Sequence, residues 1–195
     1  MSKQLILASA SPRRRELLDQ IGAEFSVHPV DMDESMLPGE GVLQHVQRLA
    51  SEKARTGFEQ LSRKQAGLAV LAADTVVEIE GDVLGKPESE QQARAFLARL
   101  SGKIHRVHTA VALVTDEKEL AATSSSEVEF MALSEAQIAA YVATGEPLDK
   151  AGAYAIQGIA GQFVVNLSGS YSGVMGLPLH ETTRLFSACG ISFVI

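Results

Sequence analysis

The sequence predicts an α/β fold with a mixed sheet. Two patterns support this prediction: short apolar runs suited to buried strands alternate with capped amphipathic helices, and polar turns join neighbouring strands into hairpins. The chain has 195 residues, of which 46% are hydrophobic. A single core of this size buries about 70% of the unfolded surface. We therefore expect residues 1–195 to form one domain without a disulfide or a structural metal.

Apolar runs mark the expected strands, at residues 5–8, 25–30, 68–73, 107–114, 163–167 and 191–195. Asp74 directly follows the third run, so it is expected at the carboxyl end of a buried strand. Residues 75–80 and 83–84 should form a hairpin around Gly81-Asp82, and residues 107–114 should pair with residues 124–130 across the polar turn 116–118.

Capping patterns and amphipathic spacing mark four helices between the strands. Ser11 and Pro12 are typical of the N-cap and first position of a helix that ends near Gly22. Residues 42–61 form a long amphipathic segment. Ser89 and Ser134 are each followed three residues later by Gln, which predicts capping boxes.

The composition excludes several classes of protein. With 17 Lys and Arg against 24 Asp and Glu, no Trp and 5% aromatic residues, the chain lacks the basic surface and stacking platforms of nucleic-acid-binding proteins. Lone Cys189 excludes a disulfide framework and fits a reducing compartment. The first apolar run, residues 5–8, is too short for a signal peptide or a membrane span. We expect a cytoplasmic protein with no nucleic-acid or membrane partner.

Three consecutive arginines, residues 13–15, lie in the first turn of the first helix. The helix N-terminus is already positive there, so cations are unfavourable unless an anion binds. Together with the hydroxyls of Ser9 and Ser11, these arginines could form a polyphosphate cradle. The alternative is that they extend into solvent or pair with Glu16 and Asp19.

Asp74 is the strongest candidate for catalysis. A carboxylate at the end of a buried strand can hold a divalent metal or accept a proton from water, as hydrolysis of a phosphoanhydride requires. Its alternative role is to cap the next turn. Asp31, Asp33 and Glu34 follow the second strand and could complete a metal site with Asp74, although a solvated loop is equally compatible.

Two lysines and a glutamine complete the candidate site. Lys53 lies on the apolar stripe of residues 42–61, which directs it toward the core or a cleft unless it extends into solvent. Lys86 lies in Gly85-Lys86-Pro87, which lacks the spacing and hydroxyl of a P-loop, so a kinase or GTPase is disfavoured. Lys86 could contact a phosphate or lie on the surface. Gln157 lies in the glycine-bearing stretch 152–158, which Gly161 follows, and could read a base edge or simply occupy a turn.

An ordered set of motifs resembles the Maf family of nucleoside triphosphate pyrophosphatases, and it spans nearly the whole chain. The motifs are Ser9-Ala10-Ser11-Pro12-Arg13-Arg14, Ala73-Asp74-Thr75, Gly85-Lys86-Pro87, Leu100-Ser101-Gly102, Glu146-Pro147-x-Asp149-Lys150-Ala151-Gly152-Ala153-Tyr154 with Ile156-Gln157-Gly158, and Gly176-Leu177-Pro178-Leu179-x-Glu181-Thr182. Two of the pieces, Asp149-Lys150-Ala151-Gly152 and Ile156-Gln157-Gly158, resemble the subgroup that acts on dTTP and UTP.

The resemblance implies an elongated, two-lobed mixed-sheet fold related to the inosine triphosphate pyrophosphatases, with the active-site cleft between the lobes and usually a homodimer. It also implies hydrolysis of a nucleoside triphosphate to the monophosphate and pyrophosphate with Mg²⁺ or Mn²⁺. The matching positions depart from the subgroup at Ala155, where Gly is frequent, and at Gly173, where many members have Asn.

The resemblance also implies residue roles. Asp74 becomes the proton acceptor, and Glu34 becomes a metal-binding or water-positioning carboxylate beside it. The positions implied to set substrate choice are Arg13, Thr75 and Gln157. The remaining phosphate or catalytic contacts are Ser9, Ser11, Arg14, Lys53 and Lys86.

Two other functions remain open from the sequence. One is a pyrophosphatase for noncanonical purine nucleotides, because a fold does not fix the base. The other is a non-catalytic, nucleotide-binding regulator of cell division. Asp74 and the nearby acidic residues argue against a pure binding protein, since these carboxylates exceed what binding a triphosphate requires.

Overall fold

A computed structural model describes residues 3–63 and 65–194 of the chain. Its seven strands are β1 (Gln4–Leu7), β2 (Phe25–Val27), β3 (Leu68–Ile79), β4 (Asp82–Leu84), β5 (Ile104–Thr115), β6 (Glu119–Phe130) and β7 (Val164–Ser168). They form one sheet in the order β2-β1-β3-β5-β6-β7, with β4 paired to β3. Strand β1 is parallel to β2 and β3, whereas β3 and β4 are antiparallel, as are β6 and β7. The predicted mixed α/β class is confirmed.

The α-helices of the described residues are α1 (Pro12–Gln20), α2 (Val42–Ser62), α3 (Glu90–Leu100), α4 (Glu135–Val142), α5 (Tyr171–Met175) and α6 (Leu179–Cys189). Ser89 and Ser134 cap α3 and α4, because each hydroxyl accepts from the backbone N–H three residues on. The predicted capping box is complete at Ser134, whereas at α3 the Gln92 side chain accepts from the Glu88 N–H instead of that of Ser89. Ser11 precedes α1 without a side-chain cap bond. In the described ranges, no helix has the length and apolar character needed to cross a membrane.

The main difference from the sequence prediction concerns β3. Residues 68–73 and 75–80 were expected to form separate strands, but Leu68–Ile79 is one strand of 12 residues with Asp74 in its interior. Strand β1 pairs with residues 68–71 and β4 pairs with residues 77–79, so Asp74 lies between the two paired stretches. The prediction that Asp74 ends a strand is therefore wrong. Sheet pairing on both sides of Asp74 outweighs the low strand propensity of aspartate.

The first hairpin turn is displaced by one residue from its predicted position. Ile79 pairs with Asp82, so the two turn residues are Glu80 and Gly81. Both have positive φ, 56° and 87°. A type I′ turn requires this conformation at both central positions, and glycine adopts it without strain.

The expected strand at residues 191–195 is also wrong over residues 191–194, while residue 195 lies outside the described residues. Gly190 ends α6 in the left-handed conformation, and the Ile191 N–H donates back to the Phe186 carbonyl over 3.0 Å. The Val194 N–H donates to the Ile21 carbonyl over 2.8 Å. These bonds hold the segment against the ends of α6 and α1 instead of in the sheet.

The described chain divides into two compact units. Unit 1 contains the described parts of residues 1–74, 109–124 and 176–195, and unit 2 contains residues 75–108 and 125–175. The core of unit 1 includes fully buried side chains such as Leu7, Leu18 and Leu71. The core of unit 2 packs α3 and α4 around a cluster of aromatic rings that includes Phe130 and Phe163.

Candidate active site

Lys53 is the buried centre of an ionic cluster in unit 1. The buried stripe of α2 carries Val46, Leu49 and Lys53, and Lys53 is only 6% exposed. Its ammonium lies 2.7 Å from Oδ1 of Asp74 and 2.6 Å from Oε1 of Glu34. A strand interior and a loop thereby bring two carboxylates to one cation. The predicted inward direction of Lys53 is confirmed.

The start of α1 forms a second polar group in the same unit. Ser9, directly after β1, is 7% exposed, and its Oγ accepts from Arg14 Nη1 over 3.0 Å and from the Ser11 N–H over 3.2 Å. Arg14 Nε donates to the Gly176 carbonyl over 2.9 Å. Two fixed acceptors therefore orient the guanidinium plane. Gly176 lies 162 positions after Arg14, so no local sequence pattern predicts this contact.

The charges of the two groups act on one another. Burial lowers the pKa of Arg14 below its ordinary value, and Arg13 lowers it further, while Asp74 and Glu34 oppose the shift. The guanidinium stays protonated, because its ordinary pKa is far above neutrality. Cations and carboxylates are thus close enough to interact electrostatically, and a bound polyanion would interact with several of these charges at once.

The loop that carries Glu34 is tied to α2 by Glu40 and Arg48. Arg48 donates to the Glu40 carboxylate from Nε over 2.6 Å and from Nη2 over 2.9 Å, and Nη2 also donates to the Ser35 carbonyl over 3.0 Å. Hydrogen bonds from Arg48 lower the pKa of Glu40 to about 2. Sequence reasoning missed this anchor, because one residue lies in a loop and the other lies eight positions later, on a helix.

Unit 2 holds the three remaining candidates. Thr75 follows Asp74 in β3 and is partly buried, whereas Lys86 and Gln157 are exposed on loops. The Gly152 N–H donates to the Gly85 carbonyl over 3.1 Å, which joins the loop of Lys86 to the glycine-bearing segment before Gln157.

The fit of a divalent cation depends on the two carboxylates. Within residues 3–63 and 65–194, no group of three or more His, Cys, Asp or Glu side chains converges as a complete metal site would. Asp74 and Glu34 nevertheless meet at one ammonium. Two carboxylates suit Mg²⁺ or Mn²⁺ when substrate phosphates and water supply the other oxygens. Asp33 is instead engaged locally, since its Oδ1 accepts from the Ser35 N–H over 2.9 Å.

Comparison with known proteins identifies the family to which this chain belongs. The family model described as Maf-like protein matches residues 4–189. The chain belongs to the Maf family. Among its relatives, proteins named dTTP/UTP pyrophosphatase from Methylobacillus flagellatus and Hahella chejuensis are each 50% identical to this Maf chain over 189 residues, covering 97% of it and 94% of the relative.

A solved structure supports the Maf chain's fold independently. The Ham1 protein of Staphylococcus aureus superposes with a TM-score of 0.53, covering 95% of this chain and 97% of that one. The sequences are 13% identical, so the likeness concerns the fold alone.

Proposed function

We propose that this Maf-family chain is a nucleoside triphosphate pyrophosphatase that hydrolyses dTTP and UTP to the monophosphate and pyrophosphate. Modified pyrimidine nucleoside triphosphates are further substrates in this proposal. The observation that carries the proposal is 50% identity over 97% of the chain to relatives named dTTP/UTP pyrophosphatase. The ionic cluster around Lys53 supports it, because this cluster combines carboxylates with the cations that a triphosphate needs.

In the proposed reaction, the oxygen of a water molecule attacks the α-phosphorus. The bond from the α-phosphorus to the bridging α–β oxygen breaks, and pyrophosphate leaves with the bonding electrons. Asp74 accepts the proton of the attacking water at its carboxylate. Lys53, whose ammonium donates to Oδ1 of Asp74 over 2.7 Å, orients that carboxylate.

The cations bind and neutralise the phosphates. Arg14, fixed by Ser9 and Gly176, presents a preset guanidinium fork, which suits phosphate better than a mobile side chain would. Arg13, Ser11 and Lys86 provide further phosphate contacts in the proposal. Phosphoryl transfer depends mainly on such positioning and charge stabilisation.

Asp74 and Glu34 are the residues that would hold a divalent cation. Bound Mg²⁺ or Mn²⁺ would neutralise phosphate charge and polarise the phosphoryl oxygens. Glu34 suits this role because its side chain is 51% exposed even though one oxygen contacts Lys53, so it remains accessible to a cation that arrives with the nucleotide.

Base choice is assigned to Gln157, with Thr75 and Arg13 as further specificity positions. Gln157 is exposed and carries one amide acceptor and two amide donors, which can pair with the edge of a pyrimidine. We propose a cytoplasmic homodimer that does not act on nucleic acid or membranes, in line with the charge of −7 and the single cysteine.

The test is a panel of UTP, dTTP, CTP, GTP, ITP and 7-methyl-GTP with Mg²⁺ or Mn²⁺, in which phosphate is measured with and without added inorganic pyrophosphatase. We expect phosphate only with the coupling enzyme, chiefly from UTP and dTTP. Asp74→Asn should lose turnover, while the exposed Asp19→Asn should retain it. Phosphate without coupling, preference for ITP, or binding without turnover would each reject the proposal.

A further inference from the structure

The carboxylate of Glu146 lies under the loop that carries Gln157. Its Oε2 accepts from the backbone N–H of Ile159 over 3.1 Å, and its Oε1 accepts from that of Ala160 over 3.4 Å. Tyr141 donates its hydroxyl to Oε1 over 2.8 Å. One side chain thus receives three donors, two of them from the backbone that follows Gln157.

Tyr141 extends the support to the other side of Gln157. Its hydroxyl oxygen accepts from the Ala155 N–H over 3.3 Å while it donates to Glu146. Burial, together with the hydrogen bond to Glu146, raises the pKa of Tyr141, so the phenol keeps the proton that it donates. Backbone groups before and after Gln157 are therefore tied to a single Tyr141–Glu146 pair.

Close packing accompanies these hydrogen bonds. A Cβ placed on Gly158 would lie 2.5 Å from Oε2 of Glu146, so the turn rests directly on the carboxylate. The Gly158 N–H also donates to the Ala155 carbonyl over 3.0 Å, which closes the turn around Gln157. All of these contacts lie within unit 2.

The position of Gln157 depends strongly on this backbone. Its side chain is exposed, and a free glutamine side chain loses conformational entropy when it is fixed. A backbone that is already fixed reduces what remains to be ordered when the base binds. A carboxylate with three donors is well suited to this task, because hydrogen bonds to a charged acceptor are stronger than those between neutral groups.

We propose that Glu146, together with Tyr141, is a positioning residue for base discrimination, which it achieves by fixing the turn that presents Gln157. This inference rests on the proposed function, in which Gln157 reads the pyrimidine base. It adds a residue that makes no contact with the base itself. The backbone role of Glu146 is separate, since its carbonyl accepts from Lys150 Nζ over 2.7 Å whatever the side chain is.

The main test compares Glu146→Gln, Tyr141→Phe and Gln157→Ala with the wild type. The amide of Glu146→Gln keeps one acceptor oxygen but presents an NH₂ group to one of the former donors. Glu135→Gln is the matched control, because it removes an exposed carboxylate from the start of α4, the helix that carries Tyr141. We expect the ratio of kcat/KM for UTP to kcat/KM for CTP to fall roughly tenfold in Glu146→Gln, toward the ratio measured for Gln157→Ala.

The double variant Glu146→Gln/Gln157→Ala should discriminate no worse than Gln157→Ala alone, because the positioning residue acts through Gln157. Additive losses would overturn the inference. If Glu146→Gln does not fold, as judged by circular dichroism, Tyr141→Phe decides, because it removes the hydroxyl link to both Ala155 and Glu146. Its discrimination should also fall, and an unchanged ratio would overturn the inference.

Hydrogen exchange followed by mass spectrometry gives a readout that needs no substrate. Amides of residues 155–160 should exchange faster in Glu146→Gln and Tyr141→Phe, while those of α2 keep their wild-type rates. Unchanged exchange in both variants would overturn the role of Glu146 and leave the proposed function intact. A wild type without preference for UTP, or one that keeps its preference in Gln157→Ala, would instead reject the base-reading function, and the inference would fall with it.

Discussion

The ammonium of Lys53 donates to Oδ1 of Asp74 over 2.7 Å, and each of the two side chains is only 8% exposed. Glu34 approaches the same ammonium over 2.6 Å but keeps 51% of its side chain exposed. The three charges are therefore unequal: Asp74 depends on Lys53 for compensation, whereas Glu34 can also be hydrated. This asymmetry makes the effects of single substitutions distinguishable.

Lys53→Met should destabilise the fold by about 3 kcal/mol, because it leaves the Asp74 carboxylate buried without its cation. Asp74→Asn should cost less, since Lys53 still pairs with Glu34. Urea unfolding monitored by circular dichroism measures both. Lys103→Met, which removes an exposed lysine paired with Glu80, is the control. A loss in Lys53→Met no larger than that of this control would contradict the prediction.

Asp74→Asn should reduce kcat for UTP by about a hundredfold or more, the range expected on loss of a general base. The dissociation constant for UTP, measured without a divalent cation because Asp74 is also a proposed metal ligand, should change little, since the amide keeps an oxygen near Lys53. Single-turnover kinetics and equilibrium binding separate the two effects. If kcat stays at the wild-type value, Asp74 is not the proton acceptor.

The order and type of most elements could be predicted from sequence, because each depends on local signals. The cap hydrogen bonds of Ser89 and Ser134 join residues three positions apart. The inward direction of Lys53 follows from helical periodicity alone. Such features need no knowledge of the rest of the chain.

What the sequence could not predict depends on distant pairing. The apolar run at residues 68–73 predicts a strand that ends at Asp74, and only the pairing of β1 before it and β4 after it places Asp74 inside β3. Likewise, Arg48 and Glu40 form an anchor that no periodicity indicates. The carboxylate of Glu146 meets backbone groups 13 and 14 positions away, which only the fold brings close.

The Glu40–Arg48 pair should make stability depend on acidity. The folded-state pKa of Glu40 is lowered to about 2 from an ordinary value of 4.5, chiefly by hydrogen bonds from Arg48. Its contribution is therefore complete above pH 4.5 and is lost as the pH falls toward 2. Urea unfolding should give a larger difference between wild type and Glu40→Gln at pH 6 than at pH 3. A difference that does not shrink on acidification would refute this.

His105 should make the unfolding free energy depend on pH in a second, higher pH range. Its ring nitrogen Nε2 lies 2.8 Å from the Tyr154 hydroxyl, and burial lowers its pKa from 6.5 to about 4. Between these values the unfolded chain binds a proton that the folded chain does not, so unfolding free energy decreases as pH falls from 6.5 to 4. Across this pH window the unfolding free energy should decrease by about 3 kcal/mol.

A His105→Gln variant should show a flatter dependence of unfolding free energy on pH across this window, whatever its stability at pH 8. His180→Gln is the control, because its ring is exposed in the folded chain. Denaturant unfolding at several pH values gives the slopes. Equal slopes for wild type and His105→Gln would show that His105 takes up its proton equally in both states.

Gly152→Ala should be more damaging than Gly145→Ala, although both glycines have left-handed φ, 68° and 77°. Each alanine carries the same backbone strain, about 1 kcal/mol. A Cβ on Gly152 would also lie 2.8 Å from Cγ2 of Val77, whereas one on Gly145 meets nothing within 4 Å. The unfolding free energy of Gly152→Ala should therefore be lower than that of Gly145→Ala by the cost of overpacking, about 1–3 kcal/mol.

Gly152 also donates to the Gly85 carbonyl over 3.1 Å, next to Lys86. A shift of its backbone should therefore raise KM for UTP in Gly152→Ala but not in Gly145→Ala. Thermal unfolding and steady-state kinetics measure the two effects. A further Val77→Ala substitution should restore part of the stability lost in Gly152→Ala, because it removes the clashing methyl groups. Without such recovery, contact with Val77 is not the cause of the loss.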